Sequence, residues 1–233
     1  VSFKTEGTVL EVTLVNPILP GASTEFKLAF EGQVPSQIRR SGRDNKEGIS
    51  YSMSQWYPKI AEYDRRGWHA HPYVGREFYA PWGTFEVNIT IDKTYVLGGT
   101  GVLQNGEEVG FGYQSNTEVE PRKKGKTLTW KFKAEQVHDF MWAADPDYVH
   151  TTAQVPGGPT LHFLYEEDSA TANWSDLPEY SIKAFQFLSE NFGEYPYSEF
   201  SVVQGGDGGM EYPMSTLITG HRSLQSLVGV TVH

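Results

Sequence analysis

Apolar side chains alternate with polar or small ones at Leu10, Val12 and Leu14, at Phe26, Leu28 and Phe30, at Phe85, Val87, Ile89 and Ile91, and at Leu128, Trp130 and Phe132. A period of two buries one face of a strand and wets the other, which predicts antiparallel sheet. Reversals are supplied by NPILPG (Asn16 to Gly21), LGGTG (Leu97 to Gly101), QNGE (Gln104 to Glu107) and the loop around Gly125, where Gly, Pro and Asn suit turns. The chain up to VPGGPT, which starts at Val155, is expected to be an antiparallel saddle or sandwich.

Beyond that Pro- and Gly-rich stretch the period changes, so a domain boundary is expected between residues 1–156 and 157–233. LHFLY predicts a strand. In DLPEYSIKAFQFLSENFG, Ile182, Phe185, Leu188 and Phe192 recur at spacings of three, three and four, the stripe of an amphipathic helix. Asp176 is the expected N-cap, Pro178 suits the first turn, and Gly193 suits the C-terminal end. FSVVQ and STLIT predict two further strands. From Ser223 onward, Leu224, Leu227, Val228 and Val232 form one stripe of a last helix that is still running at His233. The fold class is thus mainly β with a smaller α+β part.

Composition narrows the function classes. The 233 residues carry 19 Lys and Arg against 29 Asp and Glu, a formal charge of −10, which disfavours nucleic acid or an anionic membrane as partner. The one dense basic run, PRKKGK (Pro121 to Lys126), reads as a solvated loop. There is no cysteine, so disulfides and thiolate metal sites are excluded. No apolar run approaches the ~20 residues of a membrane-spanning helix. The compartment stays open, with a lean towards a secreted or periplasmic protein. The triplets at Asn88 and Asn173 match the glycosylation pattern and are expected to be chance matches.

Between Ser52 and Gly83 lie Trp56, Tyr57, Tyr63, Trp68, Tyr73, Phe78, Tyr79 and Trp82 with His69 and His71. Packing beneath a long loop is the expected role, and a binding wall the alternative. The two histidines could share a metal only with a third ligand that the sequence does not offer nearby. In QGGDGGMEYP, four glycines surround Asp207 and lead into Met210 and Glu211. Taken alone, the glycines read as a flexible turn; the alternative is that they let backbone approach a ligand and present a carboxylate at a strand edge.

Gly208, Gly209, Met210 and Glu211, followed 22 residues later (233 minus 211) by His233 at the end of VGVTVH, resemble the zinc aminopeptidases of the aminopeptidase N family. That family pairs a Gly-x-Met-Glu-Asn strand with a later H-E-x-x-H helix. AFQFLSENFGEYPYSEFSVVQ, DFMWAADPDY and LHFLY are similar to other segments of the family. The resemblance implies a β-saddle followed by the first portion of a thermolysin-like catalytic domain, cut at the first His of H-E-x-x-H. It implies zinc in the intact parent with His233 as its first ligand, and a peptide N-terminus as the partner. Glu211 would pair with the substrate α-ammonium. Gly208, Gly209 and Met210 would belong to the same substrate-binding strand, and Gln55, from an S-x-x-Q element with Ser52, would be a second amine contact. Tyr212 and Pro213 depart from the family's Asn, which opens the question of side-chain selectivity.

One zinc ligand cannot hold zinc, so neither peptidase activity nor tight zinc binding is expected of these 233 residues. Self-association through the truncated face is also expected. The rival readings are a carbohydrate-binding β-sandwich using Trp56 to Trp82, a catalytically dead scaffold, and a glycosidase built on Glu166, Glu167 or Asp168. The last of these reads better as a solvated turn.

Overall fold

The computed structural model describes residues 1–71, 79–115 and 125–233. In chain order the first strands are β1 (Ser2–Glu6), β2 (Val9–Thr13), β3 (Gly42–Arg43), β4 (Tyr51–Met53), β5 (Tyr63–Asp64), β6 (Gly67–Trp68) and β7 (Gly83–Asp92). Next come β8 (Val96–Gly99), β9 (Val102–Leu103), the short helix α1 (Gly106–Val109), β10 (Thr127–Val137), β11 (Trp142–Asp145) and β12 (Tyr148–Gln154). The remainder is β13 (Thr160–Glu166), helix α2 (Leu177–Phe192), β14 (Glu199–Gln204), β15 (Met210–Tyr212), β16 (Ser215–Ile218) and helix α3 (Leu224–Val232). The chain is mainly β, as the alternation predicts. None of the described helices is long and apolar enough to cross a membrane.

Two compact units form, and they are not the expected 1–156 and 157–233. One comprises Val1–Gln33 with Lys59–Pro81, the other Val34–Pro58 with Trp82–His233. VPGGPT turns out to be the turn of a hairpin: β12 and β13 pair antiparallel from Tyr148↔Glu166 to Gln154↔Thr160. Val155 and Pro159 close that turn through a backbone hydrogen bond of 3.0 Å.

The first unit contains the antiparallel hairpins β1–β2 and β5–β6. The strand expected over Phe26, Leu28 and Phe30 does not form; all three side chains are exposed. Alternation marks a segment able to lie on a sheet, but a ladder needs a neighbour, and none of the described strands pairs with this one. Tyr63 and Trp68 pair across β5 and β6 with ring centroids 5.0 Å apart, and both are exposed.

In the second unit β10 carries the expected alternation, burying Leu128, Trp130, Phe132 and Ala134 before a bulge that re-aims Val137 inward. It pairs with β7 and β9. A four-stranded sheet runs β3-β4-β11-β8, and a five-stranded mixed sheet runs β12-β13-β14-β16-β15. The five-stranded sheet is parallel at β13–β14 and β14–β16 and antiparallel at both edges. Its parallel strands are almost continuously buried, as burial on both faces demands.

One of those faces holds the main core. Leu161, Phe163, Val202 and Ile218 of the sheet meet Trp174, Leu177 and Leu227, with Ile182, Phe185 and Val228 packed alongside. Helix α2 has the boundaries expected from its stripe, but Asp176 makes no side-chain cap; a 3₁₀ turn, Ala172–Ser175, leads straight into the helix instead. Ser223 does cap α3, accepting from the Ser226 amide at 3.4 Å. On the opposite face β8 approaches so closely that a Cβ at Gly98 would lie 2.6 Å from Leu164.

Candidate functional site

The glycine-rich loop between β14 and β15 is held on all sides by the segment around β3 and β4. The Gly206 amide donates to Ser52 Oγ at 2.8 Å, and Asn45 Nδ2 donates to the Gly206 carbonyl at 3.0 Å. Asp207 Oδ1 accepts from the Lys46 amide, the Asp207 amide donates to the Arg39 carbonyl, and Arg40 Nε donates to the Gly209 carbonyl at 3.2 Å. The glycines are there for close approach: a Cβ at Gly205 would sit 2.6 Å from Ser52 Oγ, and Gly206 has φ +66°. Sequence reasoning read this loop as flexible or ligand-facing and missed its clamp. No single residue of the Arg39–Lys46 stretch announces that role, since backbone atoms make half the bonds.

From this clamp the chain enters β15, the edge strand of the five-stranded sheet, which hydrogen-bonds to β16 in the register Met210↔Leu217, Glu211↔Thr216 and Tyr212↔Ser215. Met210 and Tyr212 are buried and Glu211 is exposed, as strand alternation requires. Pro213 and Met214, the latter with φ +60°, form the tight turn back into β16.

Gln55 lies beyond β4 in a left-handed conformation, φ +50°. Its Nε2 donates to the Tyr212 hydroxyl at 3.4 Å and to Asp139 Oδ2 at 3.3 Å. The predicted S-x-x-Q element and the Met210–Tyr212 strand therefore meet, but through Tyr212 rather than through Glu211. Ser52 clamps the loop, while Ser54 Oγ donates to the Arg40 carbonyl at 2.9 Å. Asp139 is the hidden anchor: it is buried, and it also accepts from the Phe140 amide at 2.8 Å and from the Tyr57 hydroxyl at 3.0 Å. Burial, and then the Asp139 charge, push the Tyr57 phenol far above its ordinary range, so it stays a neutral donor. Burial likewise raises the Tyr212 phenol.

The aromatic stretch divides between the two units. Trp56 packs edge-on to Tyr57 and Trp142 and donates Nε1 to the Phe140 carbonyl, so this end is structural. In the other unit His69 bonds Asp64 at 2.8 Å and packs edge-on to Tyr79. Tyr73 and Phe78, and Pro121 to Lys124 of the basic run, lie outside the described residues. Asn173 Nδ2 donates to the Arg222 carbonyl, a structural use of that triplet.

His233 ends α3, exposed, with its amide bonded to the Gly229 carbonyl. Among the described residues, the one group of three acidic or histidine side chains with ligand atoms within 4.8 Å of each other is Asp145, Asp147 and Glu166. Three carboxylates are hard oxygen donors, unlike the imidazole set of a peptidase zinc. This group, found among the described residues, therefore does not have the donor chemistry of a catalytic zinc centre.

That acidic group has its own consequence. Asp145 accepts from the Ser50 amide and hydroxyl and from the Asp147 amide. Desolvation first, and then the Asp145 charge, raise the Glu166 carboxyl to about 7. A folded state that holds this proton more tightly than the unfolded chain loses stability as pH rises from the ordinary carboxylate range through about 7. Urea unfolding of wild type and Glu166→Gln, compared at pH 5 and at pH 8, should show the wild type losing stability relative to the variant by on the order of 1 kcal/mol as the pH rises, a small figure because solvent screens a group this exposed. Asp168 has a simpler role: its carboxylate accepts from the Ala170 and Thr171 amides and shapes a turn.

The chain is similar in structure to an M1 zinc metallopeptidase from Deinococcus radiodurans, at 16% identity and a TM-score of 0.47. The likeness covers 66% of this chain but only 33% of that one, so this chain spans a third of that enzyme. A scan against protein-family models and a search of curated proteins find no match.

Proposed function

We propose that this chain carries the elements that recognise a peptide's free N-terminus in a zinc aminopeptidase of the aminopeptidase N type. The observation that supports this reading most is the hydrogen bond from Gln55 to Tyr212, which joins the S-x-x-Q element to the Gly-x-Met-Glu strand. Glu211 stands exposed on an edge strand with no described strand paired on its outer side. A peptide could add to that edge by main-chain hydrogen bonds, with its α-ammonium against the Glu211 carboxylate. Arg40 and Asn45 hold the preceding loop so that β15 does not shift when the edge is occupied. Tyr212 stands where the family has Asn, and its bond to Gln55 would give this chain a different wall beside the amine. In the family the metal supplies an activated water; by that resemblance His233 would be one of the residues to hold it.

The test is an NMR titration of the labelled chain with a dipeptide bearing a free amine and with its N-acetylated form. The free amine should shift Glu211 and Gln55 signals and bind about tenfold more tightly, and Glu211→Gln should remove that difference. Equal binding of the two peptides, or no shift at Glu211, would overturn the reading.

A further inference from the structure

The stretch that clamps the glycine-rich loop runs against the charge of the chain. Arg39, Arg40, Arg43 and Lys46 follow one another closely in a protein with a formal charge of −10, and all four belong to the unit that contains β15. Arg43 is paired with Asp44. Arg40 is placed differently. Its Nε donates to the Gly209 carbonyl at 3.2 Å and its own carbonyl accepts from Ser54 Oγ at 2.9 Å, so both ends of this half-buried residue are tied. Among the described residues no carboxylate, that of Glu211 included, comes within ion-pair reach of its guanidinium. Tyr212 feels it: burial raises that phenol, and the Arg40 charge is one of the causes that oppose the rise. Arg40 therefore stands near residues on both sides of Glu211 in the chain.

A guanidinium carries five N–H donors in one plane. Gly209 takes the one on Nε, and the two terminal nitrogens keep the end-on fork that fits a carboxylate. A fixed cation beside a site for an ammonium repels the ligand unless the ligand also brings a negative charge. The spacing suits such a ligand. Gly209 precedes Glu211 by two residues, about 7 Å along an extended chain, and two extended residues of a peptide span about the same length. Because the backbone of Arg40 is already held, less freedom is lost when an anion docks.

We infer that Arg40 is a specificity-determining residue: it receives a carboxylate borne by the second residue of a peptide whose α-ammonium is held by Glu211. The ligand class of this edge is then a doubly charged short peptide, in which the carboxylate is either the C-terminus of a dipeptide or an acidic side chain at the second position. The inference rests on the reading of Glu211 given above and adds the other pole of the ligand.

NMR titration of the intact labelled chain tests it with two matched pairs, alanyl-alanine against its C-terminal amide, and alanyl-aspartate amide against alanyl-asparagine amide. N-acetyl-alanyl-alanine controls for the amine. The anionic member of at least one pair should bind about fivefold more tightly at low salt, the scale of a partly exposed ion pair, and the gain should shrink as salt is added. A gain in the first pair assigns Arg40 to the chain terminus, and a gain in the second to an acidic side chain. Arg40→Gln should equalise both pairs, whereas Arg40→Lys, which keeps the charge and loses the fork, should retain part of the difference. Each ratio is read within one protein, so a general loosening of the loop does not imitate the result. Equal binding within both pairs of the wild type, with the free amine still preferred to the acetylated one, would overturn the role of Arg40 and leave that of Glu211 standing. A carboxylate preference undiminished in Arg40→Gln would do the same. A wild type indifferent to the amine would overturn both.

Discussion

Trp174→Ala is expected to remove about 3–5 kcal/mol of stability, the range for deleting a large buried aromatic side chain. Trp174 is fully buried in the core between the five-stranded sheet and helices α2 and α3. Its ring stacks on Tyr165 at 4.8 Å, and its Nε1 donates to the Gly220 carbonyl at 3.2 Å. The substitution therefore opens a cavity and leaves a carbonyl without its donor. The Gly220 turn has little freedom to collapse into the space, because Glu47 already grips the Gly220 and His221 amides and a Cβ at Gly220 would lie 2.5 Å from Gln204. Since a domain of this kind is stable by only about 5–15 kcal/mol, urea unfolding should show a marked fall in midpoint. Trp174→Phe should cost less, because it keeps ring area and loses the hydrogen bond. A loss below about 1 kcal/mol for the alanine variant would mean that the helices do not depend on this side chain.

Trp174 also illustrates what a sequence can and cannot reveal. Its place in the core has no periodic signature, since it sits in a single 3₁₀ turn, whereas β10 and α2 announce themselves over several repeats of their own period. Phe26, Leu28 and Phe30 show the converse. They alternate as well as β7 does, yet no described strand pairs with them, because period reports what a segment could do and not whether a neighbour exists. The boundary expected at VPGGPT failed for a related reason: Pro and Gly mark a turn of the chain, and a tight hairpin within one sheet has the same composition as a linker. At the candidate site, Gln55 and Glu211 were singled out only through the family resemblance and Tyr212 only as a departure from it; the structure joins Gln55 to Tyr212 and leaves Glu211 exposed. Asp139 and Arg40 act through partners far away in sequence, so no spacing rule could bring them to the site.

Asp139 gives the second large effect, and it separates anchoring from packing. Asp139→Ala should cost about 3 kcal/mol, because the Phe140 amide and the Tyr57 hydroxyl are left in a buried setting without the carboxylate they now share. The loss should also free Gln55 from one of its two side-chain acceptors and weaken discrimination between free and acetylated peptide amines. Asp139→Asn retains the volume and one acceptor, so it should cost about 1 kcal/mol. Its diagnostic readout is Tyr57. Two causes raise that phenol, burial being the larger and the Asp139 charge the second. Removing only the charge should bring the Tyr57 ionisation down while leaving it above the ordinary tyrosine value. Spectrophotometric titration of the folded Asn variant would detect the change. A Tyr57 titration unchanged from the wild type, together with an alanine variant of wild-type stability, would show that Asp139 is a bystander and that Gln55 is positioned by the backbone at its left-handed turn alone.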